Sequence, residues 1–218
     1  MTAELQLTRS RSSWSATQDE VWLALDLEKA GPKLTHSPIS IGIVLGDADG
    51  HVLYMARIDM KCGDKPSDVD QETMNWWRKL HWPLWKQLQG PSALSPEVAF
   101  RQFREVLENI YEQHSEVYLL TTAPAFDLGQ LDYYDTLYNE KAKGVRYALN
   151  GRRYRDMNPA ERLAALPVNE QRRIRVELAN EQEHHRHQQR HDPSYDALYA
   201  YRMAMKLPSY ARRPRPNS

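Results

Sequence analysis

Three short segments near the start of the chain carry the hydrophobic pattern of β-strands. Residues 21–28 (VWLALDLE) are apolar and then alternate between leucine and an acid, which is typical of a buried strand whose last residues emerge at the end of a sheet. Residues 38–45 (PISIGIVL) and 51–59 are two further strand-like runs on either side of a turn at 47–50. The pattern therefore predicts one strand followed by an antiparallel hairpin.

Further along the chain, hydrophobic residues recur at helical spacing after recognisable capping residues. Helix starts are predicted at Asp70, Ser95, Asn158 and Asp192. Residues 116–122 (EVYLLTT) predict another strand, and a helical stretch follows Phe126 and Asp127. A highly polar helix is expected over 168–190. This order of strands and helices predicts an α/β fold with a mixed central β-sheet flanked by α-helices.

The composition fits one folded domain and excludes an integral membrane protein. With 218 residues, of which 41% are hydrophobic, the chain is long enough for one complete α/β domain. No apolar run approaches the roughly 18 residues that a membrane-spanning helix needs. Lys and Arg together number 29, as do Asp and Glu, so affinity for nucleic acid must come from a local patch or from metal ions.

The two ends of the chain differ in composition from the middle. Residues 1–18 lack the apolar segment of a secretory signal, and we expect a disordered arm, although their Arg and Ser content leaves an organelle-transit segment open. Residues 208–218 (PSYARRPRPNS) predict a basic Pro-rich tail that cannot continue a helix. The folded domain is therefore expected over residues 19–207.

Four acids and one histidine lie where predicted strands end and predicted helices begin. Asp26 and Glu28 are two positions apart on a strand, so both carboxylates point to the same face. Asp127 follows a strand and lies near a helix N-terminus, where the helix dipole favours an anion. His191 and Asp196 lie at the same end of the last predicted helix. Taken singly, these patterns are also typical of solvated strand ends and helix caps.

Taken together, these residues resemble the three motifs of the DEDDh family of 3′-to-5′ exonucleases. The order D-x-E, F-D and H-x-x-x-x-D is similar to that of RNase T, oligoribonuclease and, above all, the small phage exonuclease A type and its bacterial exoribonuclease relatives. The resemblance covers about residues 21–205. It includes a Thr-x-x-Trp-Trp helix between the first two motifs, at Thr73, Trp76 and Trp77.

The resemblance implies an RNase H-like fold and a two-metal exonuclease mechanism. The metal ligands would be Asp26, Glu28, Asp127 and Asp196. They would hold two divalent cations, Mg²⁺ or Mn²⁺, which prefer oxygen ligands and relieve the repulsion between converging carboxylates. His191 is the expected general base, because imidazole has an unperturbed pKa near neutrality. The expected substrates are 3′ ends of single-stranded RNA or DNA and 3′ overhangs.

Residues beside these motifs are candidates for contact with the substrate. Lys29 replaces the small polar residue that usually follows the first motif, and it either binds phosphate or points away. Phe126 fits the second motif, but the residues before it lack the amide side chain that is common there. Arg153 and Arg155 belong to a basic cluster that either guides a single strand towards the metals or is a solvated charge run.

Two further groups of side chains have more than one interpretation. Four tryptophans follow the first predicted helix start, namely Trp76, Trp77, Trp82 and Trp85. They either stack on bases or pack in the core, and core packing is favoured. Three histidines precede His191 at helical spacing, namely His184, His185 and His187. They leave a transition-metal-binding protein open as an alternative function.

Partners and location follow from the resemblance and the composition. A catalytically impaired nucleic-acid-binding protein that retained the exonuclease fold is a further alternative to the enzyme. Relatives are often dimers, which leaves a homodimer open. With one cysteine and no apolar leader, we expect the chain in the cytoplasm, or in the host cytoplasm if it is phage-encoded.

Overall fold

The computed structural model describes residues 20–63, 65–139, 145, 153–182 and 191–207. These residues form a five-stranded sheet with helices packed on both faces. The strands are β1 (Glu20–Lys29), β2 (Pro38–Gly46), β3 (Val52–Asp59), β4 (Glu116–Leu120) and β5 (Arg153–Met157). The helices are α1 (Gln71–Leu80), α2 (Trp82–Leu88), α3 (Pro96–Gln113), α4 (Pro124–Tyr138), α5 (Pro159–Ala164), α6 (Val168–Gln182) and α7 (Pro193–Lys206).

The sheet is mixed, with the strand order β3-β2-β1-β4-β5. β2 is antiparallel to both β1 and β3, whereas β1, β4 and β5 run parallel to one another. The carboxyl ends of three parallel strands therefore meet at one end of the sheet, which is where open α/β sheets bind their ligands. The predicted α/β class and mixed sheet are confirmed.

Alternate side chains of β1 face two different core layers. One layer, shared with α3 and α4, contains Val21, Leu23, Leu25 and Leu27. Trp22 and Ala24 face the other layer, which α7 covers. Because alternate residues of a strand share a face, Asp26 and Glu28 continue the row of Trp22 and Ala24 beneath α7.

Two glycines of β2 let α7 approach the sheet closely. A Cβ atom at Gly42 would lie 1.9 Å from the carbonyl oxygen of Pro193, the first residue of α7. A Cβ atom at Gly46 would lie 2.1 Å from the ring of Tyr201. Gly42 is also the partner of Asp26 in the register between β1 and β2. The beginning of α7 is therefore packed against the part of the sheet that carries the acids.

A smaller cluster, formed by α1 and α2, packs beside the end of β1. Trp77 is fully buried there, and its indole Nε1 donates a hydrogen bond to the carbonyl oxygen of Lys29 at 3.5 Å. Trp85 is buried in the same cluster, whereas Trp82 is 38% exposed and Trp76 is partly exposed. The preference for core packing is confirmed for Trp77 and Trp85.

The predicted helix starts are correct, and one strand was missed. Each of the four predicted capping side chains accepts a backbone N–H at the start of its helix, namely Asp70, Ser95, Asn158 and Asp192. β5 was not predicted. The polar helix expected over 168–190 is described as far as Gln182, and residues 183–190 lie outside the described residues. So do the expected arm at 1–18 and the tail at 208–218.

None of the helices in the described part of the chain has the length and apolar character required to cross a lipid bilayer.

Candidate metal and catalytic site

The end of β1 supplies two carboxylates. Burial is the main cause that raises the pKa of Asp26 well above its usual range, followed by repulsion from Glu28, Asp127 and Asp196. Burial also raises the pKa of Glu28, although a hydrogen bond from His191 opposes the shift. The acids that act on one another in this way come from three separate elements, namely β1, α4 and α7.

Asp127 lies in the first turn of α4, directly after β4. The hydroxyl of Thr121 donates a hydrogen bond to its carboxylate, which fixes the orientation of the carboxylate. Burial nevertheless raises the pKa of Asp127 to about 6, and the nearby charge of Glu28 adds to the shift. The preceding residue, Phe126, is 37% exposed beside this acid. Thr121 was not predicted, since threonines at strand ends are common.

Asp196 lies in the first turn of α7. Burial raises its pKa to about 7, repulsion from Glu28 adds to the shift, and a hydrogen bond from the backbone N–H of His191 opposes it. One ligand atom each from Glu28, His191 and Asp196 lies within 4.8 Å of the other two. The first and third sequence motifs therefore meet in the structure.

His191 lies directly before the N-cap of α7. Its Nδ1 is 3.6 Å from Oε1 of Glu28, and 39% of its side chain is exposed to solvent. Among the described residues other than glycine it alone has a positive φ, of 67°. A left-handed backbone costs an L-residue about 1–2 kcal/mol, so the surrounding contacts must hold this residue in place.

Two aromatic rings from the α1–α2 corner contact His191. The ring centroid of Trp76 is 4.6 Å from that of His191, at an interplanar angle of 86°. The His81 ring is 4.5 Å from the His191 ring and 4.5 Å from the Trp76 ring. The Thr-x-x-Trp-Trp helix therefore places one tryptophan in the core and the other against the predicted general base.

Arg57 of β3 fixes the beginning of α7 and was not predicted. Its guanidinium forms an ion pair with the N-cap residue Asp192 and a second one with Asp59, at 2.9 Å between Nε and Oδ1. Asp192 also accepts a hydrogen bond of 3.0 Å from the backbone N–H of Ser194. His191 is the neighbour of Asp192 in the chain, so this network anchors the segment that carries it. An arginine on a strand gives no sign of such a role in the sequence.

Lys29 points away from solvent. Only 5% of the residue is exposed, and its ammonium donates hydrogen bonds to Oε1 of Gln130 in α4 and to the carbonyl oxygen of Lys33, the latter at 2.6 Å. Burial lowers its pKa to about 8. Of the two interpretations of Lys29, this location favours the one in which it does not contact phosphate.

Several predicted side chains cannot be placed. In the register between β4 and β5, the backbone of Arg153 is opposite Glu116 and that of Arg155 is opposite Tyr118. The side chains of both arginines are outside the described residues. The histidine-rich stretch before His191 lies outside them as well. Contact of these residues with substrate or with a transition metal stays a prediction.

The chemistry of the converging side chains suits a hard divalent cation. Asp26, Glu28, Asp127 and Asp196 offer only oxygen donors, and burial together with mutual repulsion opposes their ionisation. A cation with two positive charges would remove that repulsion, and Mg²⁺ and Mn²⁺ prefer oxygen ligands. The donor set is therefore suited to these ions rather than to a thiol-bound metal.

Comparison with protein families identifies the chain. The profile of the 3′-5′ exoribonuclease Rv2179c-like domain matches residues 21–207. The chain belongs to this exoribonuclease family. The match begins in β1 and ends just after α7, so it contains all five predicted catalytic and metal-binding residues. The predicted membership of a 3′-to-5′ exonuclease family is confirmed, and it supports a hydrolase that cleaves nucleic acid.

A comparison of this exoribonuclease-family chain with curated proteins found no significant match.

Proposed function

We propose that the chain is a 3′-to-5′ exonuclease of the DEDDh type that removes nucleotides from the 3′ end of single-stranded RNA or DNA, or of a 3′ overhang, with an RNase H-like fold. The observation that carries the proposal is that ligand atoms of Glu28, His191 and Asp196 lie within 4.8 Å of one another. The charges of Asp26 and Asp127 also act on these acids. Membership of the exoribonuclease family favours RNA as the substrate.

Asp26, Glu28, Asp127 and Asp196 are the proposed ligands of two Mg²⁺ or Mn²⁺ ions. Such ions, when bound, supply a Lewis acid and stabilise the charge that develops on the phosphate oxygens. The protein contributes the arrangement of the acids. Thr121 orients Asp127, and the close approach of α7 to Gly42 brings Asp196 over the end of β1.

His191 is the proposed general base. Its ring is accessible to solvent, is oriented by Glu28 through Nδ1, and can accept the proton of the attacking water. Trp76 and His81 limit the rotation of the ring, so the base is held in one orientation. A fixed base of this kind contributes roughly 10²- to 10⁴-fold to the rate.

The decisive experiment uses matched RNA and DNA oligonucleotides with a label at either the 5′ or the 3′ end. We expect a ladder of shortened products from the 5′-labelled RNA and release of mononucleotide from the 3′-labelled RNA. Both reactions should require Mn²⁺ or Mg²⁺ and stop in EDTA. Comparison of the RNA and DNA rates measures the sugar preference.

Variants exclude a contaminating nuclease and test the alternatives. Asp196→Asn should be inactive, whereas Glu112→Gln, an exposed acid of α3, should retain full activity. Oligonucleotide binding without any metal-dependent cleavage would support the catalytically impaired alternative instead. Internal cleavage, or digestion from the 5′ end, would contradict the proposed polarity.

A further inference from the structure

The ammonium of Lys29 is buried without a carboxylate partner among the described residues. Its two hydrogen-bond acceptors, the Gln130 side-chain amide and the Lys33 carbonyl, are both neutral. The face of the Tyr134 ring lies below it, at 5.1 Å from Nζ to the ring centroid. Burial of a charge between neutral groups is unfavourable to folding, so a lysine at this position calls for a reason other than stability.

The contacts of Lys29 connect the two elements that carry the first and second motifs. Lys29 follows Glu28 at the end of β1, where the register with β2 shifts. Gln130 lies one helical turn after Asp127 in α4, and Tyr134 lies one further turn along the same side. The Tyr134 hydroxyl lies within hydrogen-bonding distance of two carbonyl oxygens in the loop that leaves β1, and it can donate its one proton to either of them. This side of α4 is thus bound to the end of β1 directly beside the acids.

We propose that Lys29 is a positioning residue, whose contact with Gln130 sets the spacing between Asp127 and the Asp26–Glu28 pair. The inference rests on the proposed function, because the spacing matters for divalent cations that the acids would share. It assigns Lys29 to the assembly of the metal site and not to the binding of phosphate.

The test compares Lys29→Met, Gln130→Leu and the double variant, with Lys33→Met as the matched control. Methionine keeps the length and the apolar stem of lysine but removes the charge. Lys33 is a suitable control because its exposed side chain carries the same charge four residues away. Titration of metal-free protein with Mn²⁺ by calorimetry gives the affinity, and thermal unfolding in EDTA gives the stability.

The expected result separates metal affinity from stability. Each single variant should bind Mn²⁺ at least about fivefold more weakly, and the double variant no more weakly than the weaker single one, since both changes remove the same contact. The double variant should unfold at the same temperature as the wild type or at a higher one, because both partners of a buried polar contact become apolar. Lys33→Met should match the wild type in both measurements.

Other outcomes overturn the inference. Unchanged Mn²⁺ affinity in Lys29→Met, with a raised KM for the oligonucleotide, would mean that Lys29 binds phosphate. Unchanged Mn²⁺ affinity with a lower unfolding temperature would mean that Lys29 only stabilises the fold. In both cases wild-type Mn²⁺ binding is intact, so the proposed function stands. If the wild type itself binds no Mn²⁺, the metal site of the proposed function fails, and the role of Lys29 fails with it.

Discussion

At the residue scale, the four acids of the site lie where burial and mutual repulsion oppose their charge. Such an arrangement reduces the stability of the metal-free protein and is typical of functional sites. Binding of a divalent cation would offset this repulsion. The same four side chains would therefore lower the stability of the metal-free protein and provide its affinity for the cation.

Replacement of one proposed metal ligand tests both effects, on stability and on turnover. Asp196→Asn keeps the size of the side chain and removes a charge, and we expect turnover at saturating Mn²⁺ to fall at least roughly 100-fold. The unfolding temperature in EDTA should stay the same or rise, because Glu28 loses a repelling neighbour. Steady-state rates and calorimetric unfolding measure both effects. A variant with near wild-type turnover would remove Asp196 from the ligand set.

Substitution of His191 separates a general base from a residue that merely precedes a helix cap. His191→Asn should spare Mn²⁺ binding and lower turnover by roughly 10²- to 10⁴-fold. The wild-type rate should rise with pH as the imidazole loses its proton, and the variant should lose that rise. Rates measured across pH provide the readout.

The histidine-rich stretch supplies the control for this experiment. The triple change of His184, His185 and His187 should leave turnover unchanged if His191 is the base of a carboxylate site. An inactive triple variant beside an active His191→Asn variant would favour the transition-metal interpretation.

The positions of the five proposed site residues at strand ends and helix starts could be predicted from the sequence, whereas their proposed roles came from the order of the three motifs and its resemblance to the exonuclease family. Asp26 and Glu28 end an apolar strand, and Asp196 follows a capping residue. Arg57 and the partner of Lys29 could not be predicted, because their roles depend on contacts between elements far apart in the chain. Gln130 is 101 positions from Lys29, and no local pattern records such a pairing.

At the element scale, the position of α7 depends on the absence of a side chain in β2. A glycine inside a strand signals close approach of another backbone, and the isolated glycine in PISIGIVL carried that signal. β5 lacked a comparable signal. Its sequence, RYRDM, is rich in arginine, and charged residues are common on the edge strands of sheets.

Substitution of Gly42 tests the close packing of α7 against β2. Gly42→Ala places a methyl group where the backbone of Pro193 and Ser194 lies, and that backbone cannot move without a shift of the helix. We expect destabilisation by about 1–3 kcal/mol, as for overpacked cores, together with weaker Mn²⁺ binding. Denaturant unfolding and calorimetric titration measure these changes.

Gly129 of α4 provides the matched control. A Cβ atom there would meet nothing within 4 Å, and alanine is favoured over glycine inside a helix by roughly 0.5–1 kcal/mol. Gly129→Ala should therefore be neutral or stabilising. If Gly42→Ala behaves in the same way, the close packing of α7 on β2 is not required for the site.

At the scale of the whole molecule, the acids make the stability of the metal-free protein depend on pH. The pKa of Asp127 is raised to about 6 and that of Asp196 to about 7, both from an ordinary value of 3.8. At these two acids the folded state binds more protons than the unfolded state, so their contribution to the free energy of unfolding decreases as the pH rises from about 4 to about 7.

We expect the unfolding temperature in EDTA to fall across this pH range. Asp196→Asn should flatten the decrease, because one of the two groups no longer titrates, whereas Glu112→Gln should leave it unchanged. Added Mn²⁺ should raise the unfolding temperature more near pH 7 than near pH 5, since protons compete with the cation for the carboxylates. If Asp196→Asn and the wild type depend on pH in the same way in EDTA, the raised pKa of Asp196 is contradicted.

The order of the site residues along the chain has a consequence for synthesis. Asp26, Glu28 and Asp127 leave the ribosome well before His191 and Asp196, which lie just before and within the last described helix. A nascent chain that lacks this segment has neither the proposed general base nor the fourth proposed metal ligand. If the proposed roles are correct, we expect nuclease activity only after nearly the whole domain has emerged and folded.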